Sequence, residues 1–278
     1  MNISQALIYG RNKLVESESP ELDTKVLLCH ILSCQTAFLH SWSDKQLNQQ
    51  QQDAFEQLIE QRQQGQPVSH LTGQRGFWTL DLNVTADTLI PRPDTELLVE
   101  LALTKLKPDM TAADLGTGSG AIALSLAREH PTSQIFAMDQ SWPALKVAQK
   151  NAVHHQLNNV FFWQGQWLEA VADKTLDLVV SNPPYIQEND PHLLEGDVRF
   201  EPLAALVSGA DGLDDLRIIV WQAQRCLRLS GWLLVEHGHD QAQQVHKLFQ
   251  EAEFTNISSH QDFGDNDRVV MGQKTNER

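Results

Sequence analysis

The chain of 278 residues is long enough for one large or two ordinary domains, and its 21 lysines and arginines against 36 aspartates and glutamates give a formal charge of −15. This acidity, with no basic stripe, disfavours tight binding to a bare phosphate backbone but allows a local basic pocket or a protein substrate. The three cysteines lack metal-ligand spacing, the start lacks a leader pattern, and no apolar run reaches about 18 residues, so we expect a cytoplasmic protein without a metal site or membrane span.

Residues 1–70 have the pattern of a small helical domain. Apolar residues recur at helical spacing, and Ser19-Pro20 has the composition of a helix N-cap and first turn. Ser43 is predicted to cap a third helix. The glutamine-rich run 46–66 contains interspersed apolar residues, so we interpret it as an amphipathic helix rather than a low-complexity segment.

A linker is predicted over residues 71–90. Apolar and polar residues alternate over residues 78–84, which is the period of a half-buried strand, and we expect a short β-hairpin. The segment Ile90–Glu96 follows, and in it two prolines bracket Arg92. Spacing alone favours a stiff connector before a helix; the alternative is an arginine held rigidly at the mouth of a site.

Residues 91–278 are predicted to form one α/β domain, because strand and helix patterns alternate from residue 111 onward. The predicted strands are Ala112–Leu115, Gln134–Met138, Val160–Trp163, Leu176–Ser181, Trp232–Glu236, Ile257–His260 and Arg268–Gly272. Helical stretches lie between most of them, whereas only a short turn joins the last two. We therefore predict a Rossmann-like, seven-stranded, mostly parallel sheet with one antiparallel edge strand.

A glycine-rich turn joins the first strand of this domain to its helix. Glycines there allow a tight turn and close backbone approach, and the helix N-terminus offers free N–H groups to a ligand. A carboxylate at the end of the next strand can accept both hydroxyls of a ribose. The candidate ligand-binding residues are Gly116, Thr117, Gly118, Ser119, Gly120 and Asp139. The glycine spacing also satisfies the dinucleotide fingerprint, so a nicotinamide dehydrogenase and a plain turn stay open at this point.

The segment Asn182-Pro183-Pro184-Tyr185 follows the fourth predicted strand. Two prolines cannot continue a strand, so the backbone turns just beyond its carboxyl end, where ligands bind in open α/β sheets. An asparagine amide, proline carbonyls and a tyrosine ring can hold a flat NH2 group and stack on it. The alternative for Asn182 is a turn-forming residue.

The order of these motifs resembles that of the class I methyltransferases that use S-adenosylmethionine, in which such an Asn-Pro-Pro-Tyr segment marks enzymes that methylate planar nitrogen. Ile90–Glu96, Phe200-Glu201-Pro202 and Gly209–Leu213 extend the resemblance to one family, the peptide chain release factor N(5)-glutamine methyltransferases, PrmC or HemK. The match covers essentially the whole chain. It implies methyl transfer from S-adenosyl-L-methionine, which leaves S-adenosyl-L-homocysteine, to the glutamine of the Gly-Gly-Gln loop of release factors.

The resemblance also implies how the cofactor is held. The turn Gly116–Gly120 would line its methionine and ribose portions, and Asp139 would bind the ribose hydroxyls. Trp167 corresponds to a position beside the adenine, although the residue pattern alone fits core filling equally well. Asn182 would also lie close to the cofactor.

For the substrate, the resemblance implies that Asn182 and the Pro183 carbonyl accept the two N–H bonds of the glutamine amide, with Pro184 and Tyr185 next to it. Glu236 and His237, at the end of the fifth strand, are assigned a structural role only. The geometry requires no general base before transfer, because the proton can leave to water afterwards.

Two other functions compete with this interpretation. A DNA or RNA methyltransferase is possible because the exocyclic amine of adenine fits the same acceptors, but such enzymes usually need a basic groove. A non-catalytic cofactor-binding protein would have no use for an amine clamp. We expect a monomer whose partners are release factors, without direct binding to nucleic acid or membrane.

Overall fold

The computed structural model describes residues 1–276 and divides the chain into two compact units. Unit 1 comprises Met1–Gln74 together with Leu194–Phe200. Unit 2 comprises Arg75–Leu193 and the residues from Glu201 onward. The division into domains at 1–70, 71–90 and 91–278 stays a proposal about segments that fold independently, because compactness alone does not measure folding.

Unit 1 is helical. Its helices are α1 (Ile3–Lys13), α2 (Pro20–Leu32), α3 (Thr36–Ser41), α4 (Gln49–Gln63) and α5 (Val68–Thr72). Fully buried side chains of α1, α2 and α4 form its core, among them Ile3, Leu27, Phe55 and Ile59. The glutamine-rich run is the amphipathic helix that the sequence predicts, since α4 directs Phe55 and Ile59 inward.

The predicted helix cap at Ser43 is wrong. The helix α4 begins five residues later, after Asn48, whose side chain accepts a hydrogen bond from the backbone N–H of Gln51 at 2.8 Å. The Gln51 side chain in turn accepts one from the backbone N–H of Asn48 at 3.1 Å. This reciprocal capping box satisfies two otherwise free donors, which a serine farther upstream cannot do.

Unit 1 also contains a segment that is distant in sequence. Arg62 of α4 donates to Asp23 of α2 at 2.8 Å and to Asp197 at 3.1 Å. Arg199 donates to the backbone carbonyl of Gln64 at 3.2 Å. These bonds attach residues 194–200 to the helices, an association that no sequence pattern indicates.

Unit 2 begins at the second residue of the predicted hairpin and continues into an α/β sheet. Its elements are β1 (Gln74–Phe77), β2 (Leu80–Asn83), α6 (Thr95–Lys105), β3 (Thr111–Leu115), α7 (Ala121–Glu129), β4 (Gln134–Asp139), α8 (Trp142–His154), β5 (Val160–Gln164), β6 (Leu176–Ser181), α9 (Asp214–Cys226), β7 (Leu227–Glu236), α10 (Ala242–Glu251), β8 (Thr255–Gln261) and β9 (Asp267–Gln273). Short 3-10 turns lie between β6 and α9.

Strands β3 to β9 form one seven-stranded sheet in the order β5-β4-β3-β6-β7-β9-β8. The first five in this order are parallel, and β9 is antiparallel to both of its neighbours. The predicted fold class, a mostly parallel sheet with one reversed strand, is therefore confirmed. The predicted edge position of that strand is wrong, since β8 forms the edge. The reason is burial: β9 contributes buried Val269–Met271, whereas β8 is mostly polar and partly exposed.

The strand order changes direction between β3 and β6, which places a crevice at their carboxyl ends. Leu115 of β3 pairs with Ser181 of β6, so the segments that follow these two residues leave the sheet side by side. One apolar layer covers each face of the sheet: α6 and α7 pack on one face, and α9 and α10 pack on the other. The fold thus brings the glycine-rich turn and Asn182 together.

Candidate active site

The turn between β3 and α7 depends on glycine. Gly116, Gly118 and Gly120 have φ angles of 71°, 56° and 88°, in the left-handed region that other residues rarely adopt. A Cβ atom on Gly120 would lie 2.9 Å from a methyl carbon of Leu124, so close packing also excludes a larger side chain there. The turn therefore has a fixed shape at the mouth of the crevice.

The side chain of Asp114, in β3, stabilises this turn through hydrogen bonds. Its Oδ2 atom accepts hydrogen bonds from the Thr117 hydroxyl at 2.7 Å and the Ala123 backbone N–H at 3.0 Å. Its Oδ1 atom has no hydrogen-bond partner among residues 1–276. Burial raises the pKa of Asp114 to about 7, although its two hydrogen bonds favour the ionised form. Thr117 thus directs its side chain into the fold.

Asp139, at the end of β4, lies opposite the turn. Its Oδ2 atom accepts from the Gly118 N–H at 2.9 Å, and its Oδ1 atom accepts from the Ser141 N–H at 2.8 Å. Burial raises the pKa of Asp139, against the effect of these bonds. Because each carboxylate oxygen can accept about two hydrogen bonds, both keep capacity for the hydroxyls of a ligand.

A cavity of about 410 Å³ opens beside these residues in unit 2. Six of the candidate residues line it: Gly116, Gly118, Asp139, Trp167, Asn182 and Pro184. The candidates Thr117, Ser119, Gly120, Pro183 and Tyr185 are not among its lining residues. The sequence reasoning missed other parts of the wall: Asp87–Leu89, Met138, Gln140, Ser141, Ala144, Gly165, Gln166, Pro202, Ala204 and Ala205. Two signals were available, since Asp87–Leu89 directly precedes Ile90–Glu96 and Pro202 lies in the Phe200–Pro202 motif.

Trp167 forms an aromatic wall of this cavity and is also part of the core. Its indole N–H donates to Asp215 at 3.2 Å, and its ring would contact a Cβ atom on Gly116 at 3.4 Å. Its backbone has a φ angle of 47°, and only 8% of the residue is exposed. The two interpretations of Trp167 are therefore compatible, because the ring is fixed by packing and borders the cavity.

Asn182 lies at the carboxyl end of β6 and on the cavity wall. Its Nδ2 atom donates to the Thr95 hydroxyl at 3.2 Å, and the described residues donate no hydrogen bond to its Oδ1 atom. The preceding residue, Ser181, donates to the Leu115 carbonyl at 2.7 Å and so fixes the strand end. Thr95 was missed as a site residue, because its sequence position indicates only the start of a helix.

Tyr185 points to a buried carboxylate. Its hydroxyl donates to Glu236 at 3.4 Å, and its backbone carbonyl accepts from the Gln241 side chain at 3.0 Å. Burial and the neighbouring negative charge raise the pKa of Tyr185 well above its usual value. Burial also raises the pKa of Glu236 to about 7, although Thr95 and Arg268 favour its ionised form.

Arg92 pairs with a second buried carboxylate. Its Nη2 atom lies 2.8 Å and 2.9 Å from the two carboxylate oxygens of Glu201, whose side chain is fully buried. Glu201 directly precedes Pro202, and Pro202, Ala204 and Ala205 line the cavity. Arg92 does not line the cavity itself; it holds the segment that does.

Comparison with protein families gives two matches. Residues 5–73 match the family model described as PrmC N-terminal domain, and residues 93–195 match the one described as methyltransferase small domain. Among residues 1–276, no helix is both long and apolar enough to cross a bilayer.

Several curated relatives match nearly the whole chain. The sequence is 48% identical over 282 residues to the release factor glutamine methyltransferase of Vibrio cholerae, covering 100% of this chain and 99% of that protein. It is 44% identical to the enzyme of the same name from Escherichia coli K12, covering 94% and 95% of the two chains.

Solved structures match the fold. A methyltransferase from Pyrococcus furiosus has a TM-score of 0.56 at 15% identity, over 72% of this chain and 91% of its own. A ribosomal protein L11 methylase from Lactobacillus delbrueckii subsp. bulgaricus has a TM-score of 0.52 at 18% identity, over 69% and 83% of the two chains. At these identities the likeness shows that unit 2 shares the architecture of such enzymes.

Proposed function

The chain belongs to the release factor glutamine methyltransferase family, and from this premise we propose that it methylates the glutamine of the Gly-Gly-Gln loop of peptide chain release factors with S-adenosyl-L-methionine. The enzyme is a protein-(glutamine-N5) methyltransferase. The observation that supports the proposed site most directly is Asn182, a side-chain amide on the cavity wall whose oxygen no described residue engages. A cytoplasmic location is part of the proposal, because translation termination takes place there.

The residues of the cavity fit S-adenosylmethionine. The volume of about 410 Å³ lies within the range of small-molecule sites, roughly 300–1,000 Å³. Asp139 keeps acceptor capacity for two ribose hydroxyls, and Trp167 offers a flat apolar wall for an adenine ring. A Cβ atom on Gly118 would meet nothing within 4 Å, so the backbone there is open to close approach. When bound, the cofactor supplies a methyl group on a positively charged sulfonium.

Asn182 and Pro183 hold the substrate amide in this proposal. An amide nitrogen is a poor nucleophile, because its lone pair is delocalised into the carbonyl. If Asn182 Oδ1 and the Pro183 carbonyl each accept one of its N–H bonds, electron density on the nitrogen increases and pyramidalisation becomes easier as charge develops. Fixing the nitrogen in line for attack can contribute up to about 7–11 kcal/mol. The excess proton then leaves to water.

The test combines the enzyme with isotopically labelled S-adenosylmethionine and a release factor. We expect mass spectrometry to locate the label on the glutamine of the Gly-Gly-Gln loop. In an Asn182→Ala variant we expect cofactor binding close to that of the wild type and a turnover lower by about 100-fold or more, as for the loss of other preorganised charge-stabilising groups.

A matched control is Asn158→Ala, since Asn158 is exposed in the connection between α8 and β5 of the same unit. This control variant should turn over as the wild type does. Label absent from the glutamine would contradict the substrate, whereas near-normal turnover of Asn182→Ala would contradict the amide clamp and leave the substrate standing.

A further inference from the structure

A buried chain of polar groups connects Asn182 to Glu236. Ser181 pairs with Val235, so Asn182 and Glu236 leave neighbouring strands side by side. Asn182 donates to the Thr95 hydroxyl at 3.2 Å, and the Tyr185 hydroxyl donates to Glu236 Oε1 at 3.4 Å. Only 4% of Thr95 and 1% of Glu236 are exposed, so water does not compete for these groups.

The Thr95 hydroxyl lies where it can link the two ends of this chain. It accepts a hydrogen bond from Asn182, so its own proton is available to another acceptor. Thr95 lies close enough to Glu236 to favour the ionised form of that carboxyl group. Glu236 Oε2 is buried and has no hydrogen-bond partner within residues 1–276, so it can still accept from the Thr95 hydroxyl.

The direction of the donors decides which end of the Asn182 amide faces the cavity. An ionised carboxylate can only accept, so Glu236 accepts a hydrogen bond from Tyr185 and can accept one from Thr95. A hydroxyl whose proton points to Glu236 can offer Asn182 only an acceptor. That acceptor selects Nδ2 of Asn182 and leaves Oδ1 free for the substrate.

We propose that Thr95 and ionised Glu236 are positioning residues that hold the Asn182 amide with Oδ1 available to the substrate. The inference deepens the proposed function and rests on it, because only an N–H-bearing substrate needs Oδ1. Neither residue is assigned contact with the reacting atoms. Their effect passes through the orientation of one side chain.

Protonation of Glu236 reverses the direction of the hydrogen bonds in this chain. A neutral carboxyl group can donate to Thr95, whose hydroxyl then donates to Asn182 and selects Oδ1 in place of Nδ2. The groups that face Glu236 set the pH at which it is protonated. Asp94, ahead of α6, disfavours ionisation, while Arg268 of β9, Thr95 and Tyr185 favour it. His237, next to Glu236, has a pKa lowered by burial, and Arg92 acts on Tyr185.

The reversal is accessible in solution, because burial brings the pKa of Glu236 to about 7. We therefore expect methyl transfer to be slow below this pH and to rise as Glu236 ionises. Single-turnover rates on a release factor, measured from about pH 5.5 to about pH 8.5, should follow one ionisation. Glu236→Gln should remove that ionisation from the profile and lower the rate at high pH.

Variants of Thr95 test the role of its hydroxyl group most directly. Thr95→Ser keeps the hydroxyl and should keep the rate within about threefold of the wild type, whereas Thr95→Val should lower it by about tenfold or more, the equivalent of one good hydrogen bond. Thr104→Val is the matched control, because Thr104 is exposed on the same helix. Thermal unfolding and cofactor binding of each variant exclude simple misfolding.

A second measurement does not depend on methyl transfer. In protein labelled with 15N, the side-chain amide resonances of Asn182, identified by their loss in Asn182→Ala, should titrate with the ionisation of Glu236. They should not do so in Glu236→Gln or in Thr95→Val. If the wild type methylates no release factor but the resonances titrate, the proposed function fails and the positioning chain stands.

The inference is overturned if Glu236→Gln keeps the wild-type pH profile and the Asn182 resonances still titrate. It is also overturned if Thr95→Val, folded and competent to bind the cofactor, turns over within about threefold of Thr95→Ser.

Discussion

Asp114 and Glu236 are two fully buried carboxyl groups in one unit, and burial brings the pKa of each to about 7. They differ in what surrounds them. Asp114 accepts two hydrogen bonds from the turn that it supports, whereas Glu236 lies next to the cationic Arg268 and two hydroxyls. An isolated sequence does not indicate either shift, because both depend on how deeply the fold buries the group.

The raised pKa of Asp114 predicts how stability depends on pH. Between about pH 4 and pH 7 the folded state retains a proton on Asp114 that the unfolded state has lost, so this residue makes the protein less stable as the pH rises through that window. Asp114→Asn cannot titrate. We expect its free energy of unfolding, relative to the wild type, to improve by about 1 kcal/mol for each pH unit there.

Urea unfolding without cofactor, at about pH 5 and about pH 8, measures this difference. Asp109→Asn is the control, since Asp109 is exposed and its left-handed backbone suits asparagine. A difference between Asp114→Asn and the wild type that stays constant with pH would contradict the assigned titration.

At the scale of elements, the sequence patterns predict all seven strands of the sheet but not their spatial order. The alternation of strands and helices specifies a parallel sheet because crossover helices must cover both faces. The place of the reversed strand depends on which member of the last hairpin is more apolar, and Val269–Met271 put β9 inside. Three residues of the candidate site can be predicted in the same way, because Gly116, Asp139 and Asn182 follow predicted strands. Thr95 cannot, because it reaches the site from a helix.

The Arg92–Glu201 pair offers a test of how one residue fixes a segment that is distant from it in the sequence. Arg92→Ala leaves the buried carboxylate of Glu201 without this partner, which should lower the free energy of unfolding by about 1–3 kcal/mol. It should also weaken cofactor binding, because Pro202, Ala204 and Ala205 line the cavity.

Urea unfolding and calorimetric titration with S-adenosylhomocysteine measure the two effects. Arg128→Ala, an exposed arginine on α7, is the control and should change neither. Adding Glu201→Gln to Arg92→Ala should recover part of the stability, since the buried side chain that has lost its arginine is then neutral. Unchanged stability and affinity in Arg92→Ala would return Arg92 to the stiff-connector interpretation.

At the scale of the whole molecule, some features depend on contacts between distant parts of the sequence. Residues 194–200 belong to the helical unit although they lie between two elements of the α/β unit. Asp197 and Arg199 attach them to Arg62 and Gln64, a pairing that no sequence motif indicates. The net charge, by contrast, follows from composition alone, and it bears on which substrate the protein binds.

The net charge of −15 favours a glutamine of a protein over an amine of a nucleic acid as the substrate. An adenine amine would fit the same acceptors, but binding to a duplex requires cationic side chains that replace the counterions of the phosphates. We expect an excess of duplex DNA at low salt to leave the initial rate of release-factor methylation unchanged, and no label to appear on adenine. A random-sequence duplex and an adenine-rich single strand, added separately, cover both forms of the alternative. Inhibition that disappears steeply with added salt would reveal a basic surface and return the amine methyltransferase to consideration.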